Sequence, residues 1–162
     1  MKIRALVFAL ALVLFAGALY AQEADPRIAE ALDSADVIYT VKSSGNYYVE
    51  YKMDNNDERS HGVYVVSETE TYRGIEIREI WAVAAVVYEL PDMDTLVTLM
   101  ETNSTIKVGA WAMEVSEDGE VWVLYTIKVP AELDGERLST LIYFVAEMCD
   151  EFEEEYVGDD VY

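Results

Sequence analysis

The chain has 162 residues, with 11 basic side chains against 32 acidic ones and a net charge of −21 at pH 7. Such a surplus excludes nucleic acid as a partner, because phosphate contacts need cations. It also disfavours anionic membrane surfaces and favours solubility, basic partners and loose association with cations. The apolar fraction of 52%, regularly spaced, excludes a disordered acidic chain.

Residues 1–21 read as a secretory signal. Lys2 and Arg4 make a charged start, Ala5 to Phe15 is an unbroken apolar run, and small residues follow. The run is short for a membrane span of about 20 residues. Cleavage after Ala21 is the preferred site, with Ala18 as the alternative. Loss of this segment removes two basic residues and no acid. Residues 22–156 then form a single domain with its own core, and 157–162 an acidic, frayed tail. The expected location is periplasmic or secreted, with no stable membrane insertion after cleavage.

Along the remaining chain, Asp25-Pro26 opens a short helix to Ser34, with Ile28, Ala31 and Leu32 on one face. Val37 to Lys42 is a strand, Ser43 to Asn46 a turn, and Tyr47 to Met53 a second strand. Asp54 to Asp57 is a turn. Gly62 to Ser67 is a third strand, with Val63 and Val65 on one face. Thr69 to Tyr72 reads as a loop. Gly74 to Tyr88 reads as one bent or bulged strand, with a strand leading into a helix as the alternative, since Ala82, Ala84 and Ala85 are poor strand formers.

The last third, Asp92 to Tyr156, changes its apolar period with each element. DMDTLVTLMETN is a helix that groups Leu96, Val97, Leu99 and Met100 on one side. A hairpin follows, TIKVGAWAMEV and VWVLYTIKVP, joined by SEDGE. From Asp134 to about Tyr156 the apolar residues Leu138, Leu141, Ile142, Val145, Met148, Cys149, Phe152 and Tyr156 recur at steps of three and four, the helical period. The expectation is an α+β fold, an antiparallel β-sheet with helices packed on one face.

Leu96 to Tyr156 resembles the YbjN family, a bacterial group similar in fold to type III secretion chaperones. The matching residues are LVTLMETN, KVGAW with Gly109 and Trp111, EDGEV, IKVPAELDGERL and the closing helix LSTLIYFVAEMCDEFEEEY. Asn103 stands later than the asparagine that often follows the leucines of the family's middle helix. The resemblance implies an α-β-β-β-α-β-β-α order, no catalytic residues and a protein-interaction or regulatory role, chaperone-like in kind.

The residues themselves offer little chemistry. Counted from Asp54, the sixth and twelfth places of a calcium loop hold Arg59 and Val65 rather than glycine and glutamate, so that motif fails. His61 is the only histidine and Cys149 the only cysteine. Imidazole-built metal sites use two or three histidines, so no metal and no cofactor are expected. No GxSxG elbow is present, and the chain reads as no enzyme. Cys149 reads as a small buried hydrophobe, with a reactive thiol or intermolecular bridge as the alternative. Glu151 to Glu155 with Asp159 and Asp160 read as solubilising charge, with a basic partner or a cation as the alternative, because negative charge at a helix C-terminus opposes the macrodipole.

The positive hint is aromatic. Val121, Val123, Tyr125, Ile127 and Val129 form a core face, which leaves Trp122 and Leu124 on the other, with Trp111 and Met113 expected to join them. Exposed apolar patches of this kind mark partner surfaces. The reading is an exported, non-enzymatic domain that binds a protein or peptide, a basic one among the options, through Trp111, Met113, Trp122 and Leu124, with a homodimer as one form. The alternative is a small-molecule or lipid-binding domain with a pocket between sheet and helices lined by Tyr47, Tyr64 and Trp81.

Overall fold

The computed structural model describes residues 23–53, 56–158 and 160–162. The expected signal segment lies outside the described residues, as do Asp54 and Asn55 of the expected turn. Asp25 caps the first helix, α1 (Pro26–Ser34), its carboxylate accepting from the Arg27 amide at 3.0 Å. Six strands follow the order β1-β2-β3-β4-β6-β5 across one wholly antiparallel sheet: β1 (Thr40–Val41), β2 (Tyr47–Met53), β3 (Asn56–Tyr72), β4 (Ile75–Val87), β5 (Ala110–Val115) and β6 (Val121–Pro130). Helix α2 (Met93–Thr105) precedes the β5–β6 hairpin, and α3 (Gly135–Tyr156) closes the fold. Apart from the two-residue β1, the order is the expected α-β-β-β-α-β-β-α, with the helices on one face. Among the described residues no helix is long and apolar enough to cross a membrane.

Strand β3 is longer than its apolar centre suggests. Thr69 to Tyr72, expected as a loop, pair with Arg78 to Ile75, and the chain reverses at Arg73-Gly74. Gly74 to Tyr88 forms one strand whose register shifts between Val83 and Ala85. The alanines that weakened the strand reading are buried beneath α3, where a small side chain lets the helix approach. Cys149 Sγ lies 3.7 Å from the Ala82 carbonyl there, and burial pushes its thiol pKa far up, as for an inert core residue.

The core is the layer between sheet and helices: Val49, Val63, Val65, Ile80, Tyr125 and Ile127 from below, Leu32, Leu138, Ile142 and Val145 from above. Gly135 sets the crossing of α1 and α3. A Cβ there would lie 2.2 Å from the Ala31 carbonyl oxygen, so the two backbones touch. Gly109 adopts φ +83°, and a Cβ there would meet Ile127 Cγ2 at 2.4 Å; both facts require glycine where the chain enters β5.

Described β3–β4 pairing stops at Tyr64–Trp81. Past that point polar groups bridge the two strands. His61 Nε2 lies 2.9 Å from the Val83 carbonyl. Where fraying is expected, Asp160 to Tyr162 return to the sheet. The Tyr162 carbonyl accepts from the Gly62 amide at 3.2 Å, and its hydroxyl accepts from the Val86 amide at 3.1 Å. Glu153 Oε1 receives the Val161 and Tyr162 amides at 2.7 and 3.1 Å. Its Oε2 accepts from Arg59 at 3.1 Å, and Arg59 Nε donates to Asp150 at 2.7 Å. All four side chains, Arg59, His61, Asp150 and Glu153, are buried.

Candidate functional site: the apolar end around α2

Helix α2 starts at Asp92, whose carboxylate accepts from the Thr95 amide at 2.8 Å. Its apolar residues cannot share one side. At about 100° per residue, Val97 and Leu99 point roughly 160° apart. Leu99 is buried and Leu96 half-buried, whereas Met93, Val97 and Met100 form an i, i+4, i+7 stripe facing outward, Met93 at 71% and Met100 at 67% exposure. The expected single apolar side is therefore corrected: the helix has two, and the sheet takes only one.

Asn103 fastens α2 to the edge strand. Its Oδ1 accepts from the Trp111 amide at 2.7 Å, and its Nδ2 donates to the Trp111 carbonyl at 3.2 Å. The side-chain amide thus imitates a neighbouring strand for one residue of β5. Aromatic rings form the floor beneath. Trp111 lies 5.0 Å from both Tyr125 and Phe152, centroid to centroid, and Phe152 stacks on Tyr156 at 4.3 Å. Tyr125 donates its hydroxyl to the Val108 carbonyl, and burial pushes its pKa up to about 12.

Because α2 stands on Leu99 alone, apolar clefts open on either side of it. The larger, about 540 Å³, runs between α2, the ends of β4 and β6 and the last turn of α3, over Val87, Tyr88, Pro91, Val123, Phe152 and Tyr156. The other, about 250 Å³, lies between Leu96, Leu99, Met100, Trp111 and Met113. Exposed Tyr88, Leu90, Val115 and Val157 extend the same apolar zone. Acids edge it: Glu89 at the larger cleft, Glu151 and Glu155 beside Phe152 and Tyr156. Partial burial, then the neighbouring carboxylates Glu147, Asp150 and Glu154, hold the Glu151 carboxyl above its ordinary pKa. A cation arriving there would relieve that repulsion.

The four residues expected to make one patch fall on two faces. Residues directly opposite in an antiparallel pair share a face, and Trp111 pairs with Tyr125 and Met113 with Val123, both of the core face. Trp111 and Met113 therefore belong to the α2 clefts. Trp122 and Leu124 pair with Glu114 and Ala112 on the helix-free face. There Trp122 is half-buried, its Nε1 donating to Glu120 at 3.1 Å, and Leu124 is buried by its neighbours. The same face carries an aromatic row in which Tyr48 meets Tyr64 at 5.0 Å and Tyr64 stacks on Trp81 at 4.6 Å, with Lys42 over Tyr48. The lining expected for a small-molecule pocket is thereby corrected. Tyr47 is buried in the core, whereas Tyr64 and Trp81 lie on the opposite face, away from the helices. The residues missed in the sequence are Met93, Tyr88 and Pro91. The width of the apolar arc on α2, too broad for one contact, was the signal that could have found the first.

No family model matches this chain, and neither does any curated protein.

Proposed function

We propose that this is an exported, non-enzymatic protein- or peptide-binding domain, YbjN-like and chaperone-like or regulatory in kind, which takes an apolar segment with basic flanks at its α2 end. The observation that carries the reading is the outward stripe of Met93, Val97 and Met100 on a helix with apolar clefts at its back. An exposed apolar zone of this extent, rimmed by polar groups, is what a partner surface looks like. The Glu89, Glu151 and Glu155 rim supplies the preference for Lys and Arg in the partner. A second copy of the chain is one such partner, through α2 against α2. Lys2, Arg4 and the apolar run after them support export to the periplasm or beyond. The burial of the only histidine and the only cysteine supports the non-enzymatic reading.

Panning a random peptide library against the full chain tests this. Selected peptides should join apolar residues to Lys or Arg, and a Val97→Glu/Met100→Glu chain should lose them. Equal capture by that variant overturns the reading. Light scattering of both chains decides the homodimer.

The volume of the larger cleft favours a second reading, a small-molecule or lipid ligand, since about 300–1,000 Å³ is typical of such sites. Displacement of a fluorescent fatty acid, blocked by Val123→Trp but not by Val97→Glu, would select it over the first.

A further inference from the structure

We propose that His61, Asp150 and Glu153 bind a divalent first-row transition-metal ion, zinc matching the donors best, at the place where β3 parts from β4. The argument begins with the imidazole. The Val83 carbonyl can only accept, so Nε2, 2.9 Å away, carries the ring proton. In the neutral ring Nδ1 is then a bare lone pair. It is buried without a hydrogen-bond partner and points at Glu153 Oε2, 3.5 Å away. A lone pair facing a carboxylate oxygen in a buried site is repulsive unless a cation stands between them.

The donor set fits a metal. One atom each from His61, Asp150 and Glu153 lies within 4.8 Å of the others, and all three residues are buried. Two donors bound tetrahedrally to zinc at about 2.0–2.1 Å stand roughly 3.3 Å apart, close to the Nδ1–Oε2 separation. Asp150, with a donor atom within 4.8 Å of the other two, would complete the set by a turn of its carboxylate about the Oδ1 that Arg59 holds. Imidazole nitrogen with carboxylate oxygen suits zinc and its neighbours better than calcium or magnesium, which take oxygen alone.

The surroundings are those of a held ligand set. A ligating histidine ordinarily donates its other N–H to a carbonyl or carboxylate, as His61 does to Val83. Glu153 is oriented through Oε1 by the Val161 and Tyr162 amides, and Asp150 through Oδ1 by Arg59 Nε. Arg59 also reaches Glu153 Oε2, but a carboxylate offers about four lone-pair sites, so its bond and a metal bond can share that oxygen. Two carboxylates and one guanidinium leave a surplus negative charge, which is the sign a cation needs. With one ligand on β3 and two a single turn apart on α3, the ion would staple strand, helix and the returning segment 160–162. Three protein donors leave a further position for water or a second carboxylate oxygen.

His61 is the only histidine, so long-range ¹H–¹⁵N spectra of the full chain hold one imidazole and need no assignment. After chelator treatment, Nδ1 should resonate as a bare nitrogen, and one equivalent of Zn²⁺ should move it in full. The melting temperature should rise by about 5–10 °C at a hundredfold excess of free metal over Kd. Co²⁺ should give visible d–d bands, lost in His61→Gln, whose amide can still reach Val83. Two results overturn the proposal: a metal-free protein whose Nδ1 already carries a proton and ignores Zn²⁺, or Zn²⁺ that binds while Nδ1 stays unmoved, which would be adventitious capture by surface carboxylates. Neither depends on whether a peptide binds at α2.

Discussion

Helices α1 and α2 lie on the same face of the same sheet, yet they are held to opposite standards. The first, nine residues long, buries Ile28, Ala31 and Leu32, touches α3 backbone to backbone at Gly135, and has its cap tied into an ion-pair set. Arg27 joins Asp25 and Glu76 at 2.7 Å each, and Arg78 joins Asp25. The second, thirteen residues long, buries Leu99 alone and relies on one asparagine to fix it to the edge strand. Helix stability in proteins comes mostly from packing an apolar face. A longer helix with less packing is the low-stability part of the fold, and binding elements are drawn from that end.

Substitutions sharpen the contrast, and the greatest loss belongs to the anchored region. Glu153→Ala leaves Arg59 paired with Asp150 alone and releases the 160–162 segment. The loss of three hydrogen bonds to a buried carboxylate should cost about 3–5 kcal/mol in urea unfolding, and a loss under about 1 kcal/mol would show that this carboxylate does not hold the fold. Ile142→Ala opens a cavity beneath the middle of α3 and should cost about 2–5 kcal/mol.

Asn103→Ala removes two hydrogen bonds to Trp111, worth roughly 1–2 kcal/mol together. Its effect should be local: faster amide exchange throughout α2 and unchanged exchange in α3. Equal acceleration in both would mean that α2 is no separate unit.

Acid acts next, on the α1 anchor. Arg27, then Thr69, hold the Glu76 carboxyl down to about 2, and Arg27 and Arg78 hold Asp25 lower still. A carboxyl whose pKa falls on folding contributes stability above its unfolded value, near 4.5 for Glu76, and loses it as the pH drops towards the folded value. The melting temperature should therefore decline between pH 4.5 and 2, and Arg27→Gln should flatten that decline.

The smallest effect on stability is expected of Met100→Ser, within about 0.5 kcal/mol, because an exposed side chain has little packing to lose. Peptide capture should nevertheless fall. Stability and binding moving together would place Met100 in the core rather than on a docking stripe.

Much of the fold is legible in the sequence because local rules agree with one another. Tyr47–Met53 has alternating burial between turn residues, and it forms at the bounds its sequence suggests. The apolar steps of three and four from Leu138 to Phe152 give α3 its buried stripe. Val121 to Val129 alternate, and their odd-numbered members face the helices. Polar stretches mislead instead. Thr69 to Tyr72 read as a loop because nothing in them is apolar enough for a core, yet an edge of the hairpin needs only backbone partners. Alternation in β5 groups Trp111 with Met113 but says only which residues share a side, not which side; pairing with Tyr125 and Val123 turns both to the core face.

The sequence by itself determined where the helices and the apolar centres of the strands lie, since periods of 3.6 and 2 arise within a few residues. Only the tertiary structure decided which charges are interior and which apolar residues stay outside. Arg59 finds Asp150 across 91 residues of chain, and no local pattern separates that aspartate from the solvated acids beside it. The faces of α2 are set the same way: one layer of sheet can cover only one side of a helix, and the described residues supply nothing for the other.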